Sequence, residues 1–178
     1  KLSLSEYYES VFHHEIVGGF RINDNHYVGA EAFTENVERQ ALQDLEWNIK
    51  SVAGRYRFSF LDGFSIEPGG RYRYGSGEEI AGNEFDAYLW EASLRFGYTR
   101  TKLFDGFARF STVRVETDDN IPYQMMSGYS AGMTYRLEAS AQLSVNQNIS
   151  FGLHYVLRFG DAEENIFQKL SMEARAMF

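Results

Sequence analysis

Residues 129–145 read YSAGMTYRLEASAQLSV. The odd positions, among them Tyr129, Met133, Tyr135, Leu137, Leu143 and Val145, are apolar or aromatic. The even positions, among them Ser130, Thr134, Arg136, Glu138 and Gln142, are small or polar. An unbroken period of two is the mark of a strand with one apolar face, whereas a helix returns every 3.6 residues. The stretch is also far longer than the usual strand of roughly five or six residues.

The same alternation recurs outward from it. Ile149, Phe151, Leu153, Tyr155, Leu157 and Phe159 form one set, and Tyr88, Trp90, Ala92, Leu94, Phe96 and Tyr98 another. Tyr56, Phe58 and Phe60 alternate with Arg55, Arg57 and Ser59, and Leu45, Trp47 and Ile49 with Glu46, Asn48 and Lys50. Parity slips between those last two sets, near Val52-Ala53-Gly54, and predicts a β-bulge there. Short connectors (Asn23–Asn25, Leu61–Gly63, Asn146–Asn148 and one around Phe104-Asp105-Gly106) offer Asn, Asp or Gly where tight hairpins want them. Between them fall longer connectors at 34–39, 75–86, 116–120 and 160–165. Together they hold twelve acids and one base, a net −11 against −8 for the whole chain, so the remainder carries +3. Short and long connectors alternate, which defines an up-and-down meander with tight turns at one end and acidic loops at the other.

The 178 residues suit a single domain, 1–178. An acidic total without a basic cluster argues against nucleic acid as a partner. The absence of Cys removes disulfides, thiolate metal sites and Cys nucleophiles. No apolar run approaches the roughly 20 residues of a membrane helix, and no signal-peptide core precedes residue 10, so an exported protein is expected here in its mature form. A mean hydropathy of −0.39 looks soluble, but transmembrane β-barrels look the same because half of their strand residues face a polar interior.

A soluble lipocalin-like barrel around a ligand shares the alternation. Two features favour the membrane barrel. Aromatics sit at the ends of the apolar faces, as Trp90 and Tyr98 bracket Ala92 and Leu94, and as Tyr129 and Tyr135 occupy one end of their stretch. The opposite faces are small but carry mid-strand charges such as Glu91 and Arg95, Arg136 and Glu138, and Glu173 and Arg175. Such charges suit a crowded interior that neutralises itself. At the end of the chain, Leu170, Met172, Ala174, Ala176 and Phe178 alternate with polar residues. This resembles the C-terminal strand of Gram-negative outer-membrane β-barrel proteins, although Ala176 stands where an aromatic is commoner. The resemblance implies recognition by the barrel-assembly machinery, contact with outer-membrane lipid and lipopolysaccharide, tight turns in the periplasm and acidic loops outside. No particular family is matched by a motif.

The expected fold is therefore all-β, a closed antiparallel up-and-down transmembrane barrel. Strands are predicted at 15–22, 26–34, 40–60, 64–74, 84–99, 107–117, 125–145, 149–159 and 166–178, with residues 1–12 as a tenth. The alternative is eight strands after an N-terminal helix, capped by Ser3-Leu4-Ser5-Glu6 and stopped at Gly18-Gly19. A barrel of this size sits near the side-chain-filled limit. Its expected interior list is Glu91, Arg95, Arg136, Glu138, His154, Arg158, Lys169, Glu173 and Arg175. Placing Val145 opposite Ile149 sets Glu138 against Val156, diagonal to Arg158, and His154 beside Ser140 and Ser171. The charges read as a structural ion-pair network, with a selective ion path as the alternative.

No cofactor and no metal is expected; His13 and His14 would point to opposite faces of a strand. In Arg71-Tyr72-Arg73-Tyr74 the arginines are expected inside and the tyrosines in an aromatic girdle. Pro68-Gly69-Gly70 reads as a bend rather than a phosphate loop. His154 with Ser140 or Ser171 is the minor, lipid-hydrolase reading. The expected role is non-enzymatic: an anchor, a structural protein or an accessory subunit beside other envelope proteins.

Overall fold

A computed structural model describes residues 8–40, 45–79, 84–100, 103–117, 125–145, 148–161 and 166–176. These residues form nine strands and no helix: β1 (Tyr8–Asn23), β2 (His26–Gln40), β3 (Leu45–Phe60), β4 (Phe64–Glu79), β5 (Glu84–Arg100), β6 (Phe104–Thr117), β7 (Gly132–Ser144), β8 (Ile149–Gly160) and β9 (Phe167–Ala176). They pair antiparallel in one sheet in chain order, β1 to β9. Among the described residues no ladder joins β1 to β9, so the closed barrel and the count of ten both go beyond what is seen. Residues 8–12, expected in a tenth strand, belong to β1. Gly18 and Gly19, the expected stop of an N-terminal helix, lie within that strand, paired with Ala30 and Gly29. Residues 1–7 and Phe178 fall outside the described residues.

The tight turns set the register. Asn23 pairs with His26 across a two-residue turn, one residue shorter than expected. There the Asn23 carboxamide oxygen accepts from the Asn25 amide at 2.9 Å, the Asx device that holds such turns. Between β3 and β4 the loop has the expected three residues, with Leu61 at φ 49° and Gly63 at φ 94°. The turn expected around Phe104–Gly106 lies earlier, because Arg100 already pairs with Phe104. The strands also run further toward the long connectors than expected. Residues 35–40 extend β2 and 75–79 extend β4, so several acids read as loop residues sit on strand tips.

Strand β7 begins at Gly132, not at residue 125. Ser127 and Gly128 take φ of 57° and 78°, left-handed values outside the extended region of a strand. The segment before it folds onto the inner face. Met125 and Met126 are fully buried and Tyr129 is 7% exposed. The alternation at Tyr129 and Ala131 therefore carried past the end of the strand without the pairing, and Tyr129 is not an outward aromatic.

No bulge interrupts β3. Its ladder to β4 runs from Leu45↔Glu79 to Arg55↔Gly69 with no shift. The parity slip has another cause: Trp47 and Ile49 face inward into a core, whereas Tyr56 and Phe58 face outward. That core lies at the long-connector end. Val37, Trp47, Ile49, Phe85, Leu89 and Val115 close around Met125, Met126 and Tyr129. Val37 lies on β2 and Val115 on β6, so the sheet curls to bring them into one cluster.

Candidate functional site

Below that apolar core the inner face is charged. One cavity of about 250 Å³ is lined by residues of seven successive strands, β1 to β7. Glu67 of β4, only 9% exposed, pairs with Arg95 in the β4–β5 ladder and is met from β3 by Arg57. It accepts from Arg57 Nε at 2.6 Å and approaches Arg95 at 4.0 Å. Arg109 donates to Glu91 at 3.2 Å, and Arg136 to Glu138 at 2.8 Å. His154 Nε2 also reaches Glu138, at 3.1 Å. Arg71 approaches Glu31 two strands away at 3.9 Å. Arg73 crosses to the inward segment and donates to the Met125 carbonyl at 3.2 Å, its guanidinium 5.0 Å from the Phe33 ring.

The nine charges expected inside share this face. Glu91, Arg95, Arg136, Glu138 and His154 join the network just described. Arg158 does not pair with Glu138. Its guanidinium instead stacks 5.1 Å from the Tyr129 ring and 5.8 Å from Phe167. Glu173 and Arg175 pair with each other at 3.1 Å but stay exposed, as does Lys169, because β9 is an edge strand. The expected register holds: Glu138↔Val156, Ser140↔His154 and His154↔Ser171.

The site residues that sequence reasoning missed are Glu67, Glu31, Arg55, Arg57 and Arg109. Arg55 and Arg109 had a signal, since each alternates with an outward aromatic. Glu67 lay in the strand predicted at 64–74, alternating with Phe64 and Ile66, but Pro68-Gly69-Gly70 breaks that alternation after one period. For hydrolytic chemistry, His154 has Ser140 and Ser171 as neighbours and Glu138 as an orienting carboxylate. Among the described residues, however, neither hydroxyl hydrogen-bonds to the ring. No group of three or more His, Asp or Glu among them is placed to hold a metal.

The outer face is apolar through its middle and aromatic at two levels. Near the tight turns, Phe58, Phe60, Phe64, Tyr98 and Phe104 follow one another at ring-centroid distances of 4.5 to 6.2 Å. Toward the long connectors, Tyr72, Tyr74, Tyr88 and Trp90 cluster at 5.2 to 6.0 Å. Phe110, Tyr135 and Phe159 stack at 6.3 and 5.4 Å. Beyond the second level the outer face turns polar, with Glu46 on β3, Ser76 and Glu78 on β4, and Glu84 and Asp86 on β5, while Lys50 on β3 and Arg114 and Glu116 on β6 lie level with its aromatics.

No protein-family model matches the chain, and no curated protein matches it.

Proposed function

We propose that the protein is a small non-enzymatic outer-membrane β-barrel with a side-chain-plugged lumen, acting as an anchor, a structural protein or an accessory subunit of an envelope complex. One observation carries the reading: the polarity of the two faces inverts along the same strands. At the long-connector end Trp47, Phe85 and Leu89 are inside and Glu46, Glu84 and Asp86 outside, as in any protein end bathed in water. Further down, Glu67, Arg95 and Arg109 are inside, and Leu94, Phe96 and Phe110 outside. A soluble barrel has no reason to invert. A strand passing from water into hydrocarbon does, because its outer face changes solvent while a narrow interior stays crowded.

The dimensions support it. From Tyr88 to Tyr98 is ten residues, which at about 3.3 Å each and a tilt of about 40° gives roughly 25 Å between the aromatic levels, the height of an outer-membrane apolar band. The edges bear on closure. Strands β1 and β9 both run from the long-connector end to the tight-turn end, so direct pairing would be parallel. Closure as ten strands takes one further strand between them, antiparallel to both. Hydrocarbon leaves no water for unpaired strand edges, which makes closure necessary there. The tight turns then face the periplasm and the acidic loops the exterior.

Met125 and Met126 close the long-connector end of the interior and ion pairs crowd the rest around a cavity of about 250 Å³, which favours the plugged barrel over a narrow ion channel. Migration of unboiled protein on denaturing gels, followed by planar-bilayer conductance, tests this. A heat-modifiable band without conductance is expected. Large stable openings refute the plug, and extraction without detergent refutes the membrane.

A further inference from the structure

We infer that Met125–Ala131 is a gate: a detachable cap, latched by Arg73 and seated on Gly75, that leaves the mouth of the interior as a unit while the sheet stays paired. The ladders beneath the cap need nothing from it. Ile49, Gly75, Ala87 and Thr117 pair in one row across β3 to β6, and Ser51, Arg73, Leu89 and Val115 in the next. Among the described residues, the backbone of 125–131 pairs with no strand. Its one backbone–backbone hydrogen bond is internal, from the Tyr129 amide to the Met126 carbonyl at 3.1 Å. Two arginines tie it to the wall. Arg73 of β4, 7% exposed, donates to the Met125 carbonyl at 3.2 Å, and Arg158 of β8 lies 5.1 Å from the Tyr129 ring. Only Arg73 holds the cap by a hydrogen bond; the rest is side-chain packing.

The seat is cut for the two methionines. A Cβ on Gly75 would lie 2.9 Å from Met125 Cγ and 3.0 Å from Met126 Cε, inside the roughly 3.5–4.0 Å at which carbons pack. The three atoms nearest to it all belong to those two side chains, and Gly75 has no left-handed φ. The strand's own geometry therefore does not call for glycine there; the cap does, since an interior glycine marks the close approach of another segment. Thioether chains pack adaptably and without direction, so they unseat without breaking hydrogen bonds. The cap joins β7 at Gly132, whose φ of 112° suits glycine alone and makes a pivot one residue wide. Below it lie the ion pairs and the cavity, which a lifted cap joins to the solvent at the long-connector end. Detachment depends on the inner face alone; passage of ions through the opening rests on the membrane barrel proposed above.

The chain has no Cys, so Met126→Cys places a single thiol on the buried side of the cap. Its reaction with a maleimide, in the full chain folded in detergent micelles with strand content verified, reads the opening. Labelling is expected to run at least about a hundredfold faster than the unfolding rate extrapolated from urea, as local opening does. Adding Arg73→Met, which keeps the side chain's length and removes the donor, is expected to speed labelling at least about tenfold. Adding Arg57→Met, which removes a distant guanidinium near the tight turns, is expected to stay within about twofold. Gly75→Val tests the gate without a new thiol, since valine suits a strand and fills the seat. It is expected to keep the parent's strand content and heat-modifiable migration, and to show openings in planar bilayers where the parent is closed. Labelling no faster than unfolding, labelling unchanged by Arg73→Met, or a Gly75→Val chain that fails to fold overturns the detachable cap. A Gly75→Val protein that migrates as the folded form and stays closed overturns the gate. Loss of heat-modifiable migration in the parent is a separate failure, that of the membrane reading, and the labelling in micelles still decides the cap.

Discussion

Replacing Leu94 with arginine separates a hydrocarbon-facing surface from a water-facing one. Leu94 lies on the outer face of β5, four residues from Trp90 and four from Tyr98. At about 3.3 Å per residue each aromatic level is some 13 Å away along the strand, which puts Leu94 near the middle of the band. An arginine at the midplane of a membrane barrel costs about 2–4 kcal/mol. That is roughly a 30- to 700-fold loss in the folding equilibrium. The same change on a water-exposed face away from special features costs at most about 0.5 kcal/mol. Glu84→Arg is the matched control, on the same strand and face but beyond the aromatic level. Urea titration of refolded protein in phosphatidylcholine vesicles gives both values. The reasoning is refuted if Leu94→Arg and Glu84→Arg change stability equally within about 0.5 kcal/mol.

Further outcomes follow from the inner face. Glu67→Gln leaves Arg57 and Arg95 without their shared carboxylate and is expected to cost about 1–3 kcal/mol, with Arg57 half in solvent and so limiting the loss; the shift in urea midpoint reads it. Met125→Ala and Met126→Ala each remove a fully buried side chain and are expected to cost about 2–5 kcal/mol. Together they should also turn a non-conducting protein into one with resolvable openings in planar bilayers. Purified protein is expected to release no fatty acid from phospholipid in mixed micelles. Turnover that disappears in Ser140→Ala or Ser171→Ala would instead establish the lipid-hydrolase reading.

The strands were legible because a sheet with two unlike faces must alternate, and alternation survives without any knowledge of partners. Pairing was legible only where a turn fixes it. The short loop after Val145 placed His154 opposite Ser140, since turn length alone sets that register, whereas Ser171 lies across a long connector that fixes none. The inversion of faces in β3 was visible as a slip in parity, but a single strand cannot distinguish an extra residue from a change of solvent. Only the neighbouring strands, inverting with it, decide between the two. The inward segment at Met125–Tyr129 was hidden because Tyr129 and Ala131 keep the alternation going across backbone that has already left the sheet. Arg158 shows the limit for charges. Its diagonal to Glu138 was right, yet the buried Tyr129 ring competes for the guanidinium, and nothing local to either strand records that ring.

The chain has two tryptophans, and they lie on opposite faces: Trp90 is 40% exposed on the outer face and Trp47 3% exposed inside. Fluorescence of the single-tryptophan variants Trp47→Phe and Trp90→Phe in vesicles of brominated phosphatidylcholine reads which side meets acyl chains. Trp90 should be strongly quenched by the bromolipid and Trp47 by neither bromolipid nor aqueous acrylamide. Quenching of Trp90 by acrylamide, with no response to bromolipid, would place the aromatic face in water and contradict the account.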